Sequence, residues 1–113
     1  MRGRDILAGA LLVNAIPHTI IGLAGKRGMT PWGGPNSSPA ANLAWAGLNA
    51  LAGLAALGPR SWQRIDQRAA DEQMRGVTAG IVGMAAFAAA YELSAAAAQH
   101  RRVRAMLASP PAV

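Results

Sequence analysis

The stretch Leu7–Gly25, LAGALLVNAIPHTIIGLAG, is too apolar for the surface helix of a soluble protein and long enough to cross a bilayer core. Asn14, Pro17 and His18 interrupt it. A polar side chain within a membrane-length apolar run is costly unless it meets a partner, so each one asks for a partner or a purpose. Asn14 and His18 are four residues apart, and Gly22 and Gly25 continue the same helical face. The stretch reads as the inward face of a transmembrane helix over about 6–25. Pro17 removes the amide that would bond the Val13 carbonyl, which predicts a kink near mid-span.

Two further apolar runs follow. Residues 26–38, KRGMTPWGGPNSS, read as a loop on their prolines, glycines and small polar side chains, with Trp32 suited to the headgroup level. Ser38 then Pro39 is a cap and first-turn pair, and it opens a second span over about 39–58, which Gly58 and Pro59 close. Asn42, Trp45 and Asn49 share one face of that span, beside a small-residue stripe of Ala46, Ala50 and Gly53. Residues 60–75 are the most polar piece and predict an interfacial amphipathic helix, with Trp62, Ile65 and Ala69 on one side. It leads into a third span over about 76–98, where Gly76 and Gly80 make a GxxxG and Gly83, Phe87 and Tyr91 continue its face. The end, 109–113, predicts a disordered tail.

Composition agrees with this reading. Of 113 residues, 52% are hydrophobic but only 4% are aromatic. Alanine, leucine and glycine suit helices that approach closely in lipid better than they suit a soluble core. The net charge of +6 is split among the chain start, the loops and the tail. That pattern fits anionic headgroups and argues against a nucleic-acid surface. With no cysteine, disulfides, thiolate metal sites and cysteine catalysis are excluded. Arg2 and Arg4 before an apolar run resemble the start of a signal peptide, but the interruptions at Asn14, Pro17 and His18 favour an uncleaved first span.

The expected fold is therefore all-α: an integral membrane bundle of three transmembrane helices in one domain over 1–108. The run Asn14-Ala-Ile-Pro-His18, then Gly25-Lys-Arg-Gly28, Thr30-Pro31, Ser37-Ser-Pro39, Asn42, Trp45 and Asn49 resembles a group of small bacterial inner-membrane proteins with no assigned activity. The resemblance covers the first two spans and their loop. It implies a bacterial inner-membrane location and adds no chemistry.

Three antiparallel spans bring the end of the first, the start of the second and the end of the third to one side. Asn14, His18, Asn42, Trp45, Asn49, Tyr91 and Glu92 then fall in one half of the bilayer. Three readings fit this cluster. The side chains can be structural glue, bonded across helices. His18 and Glu92 can form a proton or small-ligand site walled by Trp45 and Tyr91. A metal or haem site is poorly served, because His100 lies among tail arginines and His18, Glu92 and amides make a weak ligand set. No cofactor is expected. GxSxG, HExxH and P-loop motifs are absent, and Asp5, Asp66, Asp71 and Glu72 read as surface partners of neighbouring arginines, so no enzyme is expected.

Orientation is finely balanced. Arg2, Arg4, Arg60, Arg64, Arg68 and Arg75 lie on one side, and Lys26, Arg27, Arg101, Arg102 and Arg104 on the other. The amphipathic 60–75 segment favours a cytoplasmic N-terminus, and the even balance allows insertion both ways. The Gly22, Gly25, Ala46, Ala50, Gly53, Gly76, Gly80 and Gly83 positions mark packing faces on every span. They predict a homo-oligomer or a place in a larger membrane complex.

Overall fold

Capping and apolar length together set the helices. A computed structural model describes residues 1–59 and 66–111. It contains α1 (Gly3–Leu23), a hairpin of β1 (Gly28–Thr30) and β2 (Gly34–Ser37), α2 (Pro39–Leu57) and α3 (Gln67–Ala108). All three helices are long and apolar enough to cross a membrane. The Ser38 side chain accepts from the Ala41 amide at 3.1 Å, with Pro39 in the first turn. Gly58, at φ 78°, closes α2.

The third helix differs from expectation. It runs unbroken for 42 residues, about 63 Å and roughly twice the thickness of a bilayer core. Its start precedes Gly76 because the Asp66 side chain caps the Ala69 amide at 2.9 Å. Its end passes Ala98 because nothing in AAAAQHRRVRAMLA breaks a helix before Pro110. Residues 67–75 of the expected interfacial segment are thus the first turns of α3. The rest of that segment, with Trp62 and Ile65, lies outside the described residues.

Residues 26–38 are also more ordered than a loop. β1 and β2 pair antiparallel, with Gly28 opposite Ser37 and Thr30 opposite Gly34 and an irregularity between. Hydroxyls staple the turn. Ser37 Oγ donates to the Gly34 carbonyl at 2.9 Å, so the 2.7 Å contact with Thr30 Oγ1 has Thr30 as donor. Thr30 Oγ1 in turn accepts from the Gly33 amide at 3.2 Å.

α1 is the middle element, with α2 on one side and α3 on the other. α2 and α3 meet at the end remote from the hairpin, where Gln73 Nε2 donates to the Leu57 carbonyl at 3.4 Å. α1 and α3 run parallel, since Gly76 lies beside Asp5 and Gly80 beside Ile6 and Ala10. Their backbones touch: a Cβ on Gly9 would strike the Val77 carbonyl, and one on Gly80 the Ile6 carbonyl. Gly22 abuts Leu43, and Gly53 abuts Leu12. The largest fully buried side chains are Asn42, Asn49 and Thr30, not apolar ones. Close backbone approach and buried hydrogen bonds therefore hold the bundle, as expected where lipid removes the hydrophobic drive between helices.

Three readings need correction here. Gly25 is a turn residue at φ 68°, past the end of α1, with nothing near a built Cβ. Gly83 likewise has nothing near a built Cβ, so among the described residues it packs against no other helix of this chain. Asp5 is not a surface partner: it is 2% exposed, its Cβ held against Gly76.

Candidate functional site: two amide relays and a groove beneath the hairpin

Two hydrogen-bonded relays run from α2 to α1. In the first, Asn49 Nδ2 donates to the Trp45 carbonyl at 2.8 Å, and Asn14 Nδ2 donates to Asn49 Oδ1 at 3.2 Å. In the second, Asn42 Nδ2 faces the carbonyls of Gly28 at 3.1 Å, Ser37 at 3.3 Å and Ser38 at 3.1 Å. These belong to the start of β1, the end of β2 and the residue before α2, so one amide clamps both ends of the hairpin. Asn42 Oδ1 lies 2.8 Å from His18 Nδ1. The four-residue spacing of Asn14 and His18 and the seven-residue spacing of Asn42 and Asn49 put each set on one helical face, which is why the pairs meet.

On the other flank of α1, α3 leaves a groove of about 480 Å³ under the hairpin. Asn14, Pro17, His18 and Ile21 line it from α1, and Phe87, Tyr91 and Glu92 from α3. Arg27, Met29 and Pro35 form its hairpin end. It exists because the α1–α3 contact is made by glycines at one end, Gly9, Gly76 and Gly80, and by larger side chains beyond them.

Comparison with protein-family models, with curated proteins and with solved structures finds no match. The geometry alone carries the functional reading.

Asn14, His18, Asn42 and Asn49 are brought together by the two relays. Tyr91 and Glu92 stand across the groove from His18, and among the described residues no hydrogen bond joins them to it. Trp45 does not wall this groove. Its ring meets Trp32 edge-to-face at 5.3 Å and 77°, pinning the hairpin tip to α2. Phe87 takes the wall instead, and its place four residues before Tyr91 on the same face was the available signal. Thr30 and Ser37, buried staples of the hairpin, carried no such signal in a loop-like sequence. Among the described residues, no three of His, Asp and Glu gather as metal ligands would. His18 and Glu92 stand on facing walls of a largely apolar cleft.

Proposed function

We propose that this chain is a small non-enzymatic integral membrane protein, multi-pass in a bacterial inner membrane with a cytoplasmic N-terminus, acting as an accessory or self-assembling subunit. The observation that carries this reading is the contrast between its helices. The amides of α1 and α2 are satisfied internally, whereas α3 buries only Gly76 and Gly80 and leaves Val82, Phe87 and Leu93 exposed. Helices that pack through small residues and show a free apolar face associate further in lipid. Three helices long and apolar enough to cross a membrane support the membrane location.

Purification in mild detergent with native mass measurement tests it. A multiple of the 11.6 kDa chain mass, or co-purification with a larger complex, is expected. A species that stays monomeric at high protein-to-detergent ratio overturns it.

The groove favours a second reading, a small-molecule or proton-coupled binding protein or transporter working through His18 and Glu92. Its volume lies within the about 300–1,000 Å³ of small-molecule sites, and its walls combine apolar surface with a few polar groups. Loss of ligand binding on Glu92→Gln, with folding intact, separates this reading from a purely structural one.

A further inference from the structure

The geometry points to a primary ammonium on an apolar body as the ligand of the groove between α1, α3 and the hairpin. This assignment rests on the second reading above. Proton accounting along the two relays decides what the groove offers.

Asn49 must give its Nδ2 to the Trp45 carbonyl, which fixes its Oδ1 as an acceptor. Asn14 must then turn Nδ2 towards it, and keeps only the lone pairs of its own Oδ1. Asn42 commits its Nδ2 to the three carbonyls around the hairpin, so its Oδ1 also accepts. His18 must therefore donate from Nδ1, which in its neutral form leaves Nε2 with a lone pair. Both relays start on backbone carbonyls and end on groove-lining residues, and each ends in an acceptor. Glu92 adds a carboxylate from the opposite wall.

Phe87 and Tyr91 add aromatic side chains to the same wall. Acceptors and aromatic rings in an apolar cleft are what an ammonium needs: charge-assisted hydrogen bonds and cation–π contact. Arg27 is the cation on the lining, and its Nη1 is tied to the Asn36 carbonyl at 3.1 Å at the hairpin end. An anionic ligand would face the Glu92 carboxylate, with donors from the lining only at Arg27 by the hairpin and at the Tyr91 hydroxyl. A neutral apolar ligand would cover the acceptors without satisfying them. A free amphiphilic amine and an ethanolamine lipid headgroup both present this group on an apolar body.

Three probes of one shape test the assignment: 2-phenylethylammonium, 2-phenylethanol and 3-phenylpropionate. Equilibrium dialysis against the full chain in detergent gives their affinities, repeated in nanodiscs of phosphatidylcholine with and without phosphatidylethanolamine. The ammonium is expected to bind about tenfold more tightly than the other two, and Glu92→Gln to remove that margin while leaving the alcohol unchanged. Competition by phosphatidylethanolamine identifies the lipid headgroup as the source, and absence of competition identifies a free amine. Equal binding of all three, or preference for the carboxylate, overturns the assignment but leaves a ligand-binding protein. If none binds, both the assignment and the reading beneath it fall.

Discussion

His18 and Asn42 face each other across the α1–α2 contact, imidazole Nδ1 to amide Oδ1 at 2.8 Å, and through that pair α1 is joined to the hairpin. Asn42 is fully buried and its amide nitrogen serves three carbonyls, whereas His18 is half-buried and spends one nitrogen. The two residues therefore carry unequal weight. Asn42→Ala is expected to destabilise by about 2–4 kcal/mol, because it strands buried carbonyls and the imidazole together. His18→Ala is expected to lose about 1 kcal/mol. Denaturant titration of the detergent-solubilised protein checks the order, and an equal or larger loss at His18 would show that the hairpin does not hang from Asn42.

Two glycines on α3 give a matched pair. A methyl on Gly80 meets the Ile6 carbonyl and the Ala10 amide, whereas one on Gly83 meets nothing within 4 Å. Gly80→Ala is expected to cost about 1–3 kcal/mol by forcing α3 off α1. Gly83→Ala is expected to stay within about 1 kcal/mol of the parent. Thermal unfolding of both, side by side, is the measurement, and similar losses would mean α1 and α3 do not meet at Gly80.

Asp5 holds a buried oxygen, Oδ1, that has no hydrogen-bond partner. It lies in the first turn of α1, where the helix dipole favours a negative charge by only about 0.3–1 kcal/mol. An unsatisfied buried acceptor costs about 1–3 kcal/mol. Asp5→Ala should therefore leave stability unchanged or raise it by about 1 kcal/mol, read from the same unfolding titration. A clear loss would reveal that the carboxylate has a partner supplied from outside the chain.

The cations at the two ends of the bundle are close to balance, and three of them sit together at Arg101, Arg102 and Arg104. Replacing all three with alanine leaves Lys26 and Arg27 against the six arginines of the other side. Insertion should then settle with the N-terminus in the cytoplasm. Paired cytoplasmic and periplasmic reporters fused after Val113 read the outcome, and an unchanged reporter ratio would show that these arginines do not set orientation.

Much of this architecture is legible in the residues. Apolar length locates three helices, Ser38–Pro39 marks the start of α2, and the facing amides of α1 and α2 announce that the two helices meet. The hairpin is not legible, because Gly28–Thr30 and Gly34–Ser37 show no alternation of apolar and polar residues. It is held by Thr30, Ser37 and Asn42, whose polarity reads as loop until the fold buries it. The length of α3 escapes for a related reason: hydropathy stops where the arginines begin, but helix propensity does not. Gly9 and Asp5 lie in a crossing whose tightness shows only when both backbones are placed. The groove was half visible: Tyr91, Glu92 and His18 were legible as neighbours in depth and Phe87 as sharing the Tyr91 face, whereas the turn of Trp45 away to Trp32 was not.

The unequal lengths of α1 and α3 have a mechanical result. With Gly76 level with Asp5, the top of α1 comes level with α3 near Leu93, and the remaining helix to Ala108 stands about 20 Å clear. It is a mast, with Arg101, Arg102 and Arg104 in its upper half, Val103 exposed among them, and Met106 and Leu107 exposed at its tip. Anything that grips the tip is held at a fixed stand-off, and a sideways pull there is delivered through a single rigid rod to the glycine crossing at its base.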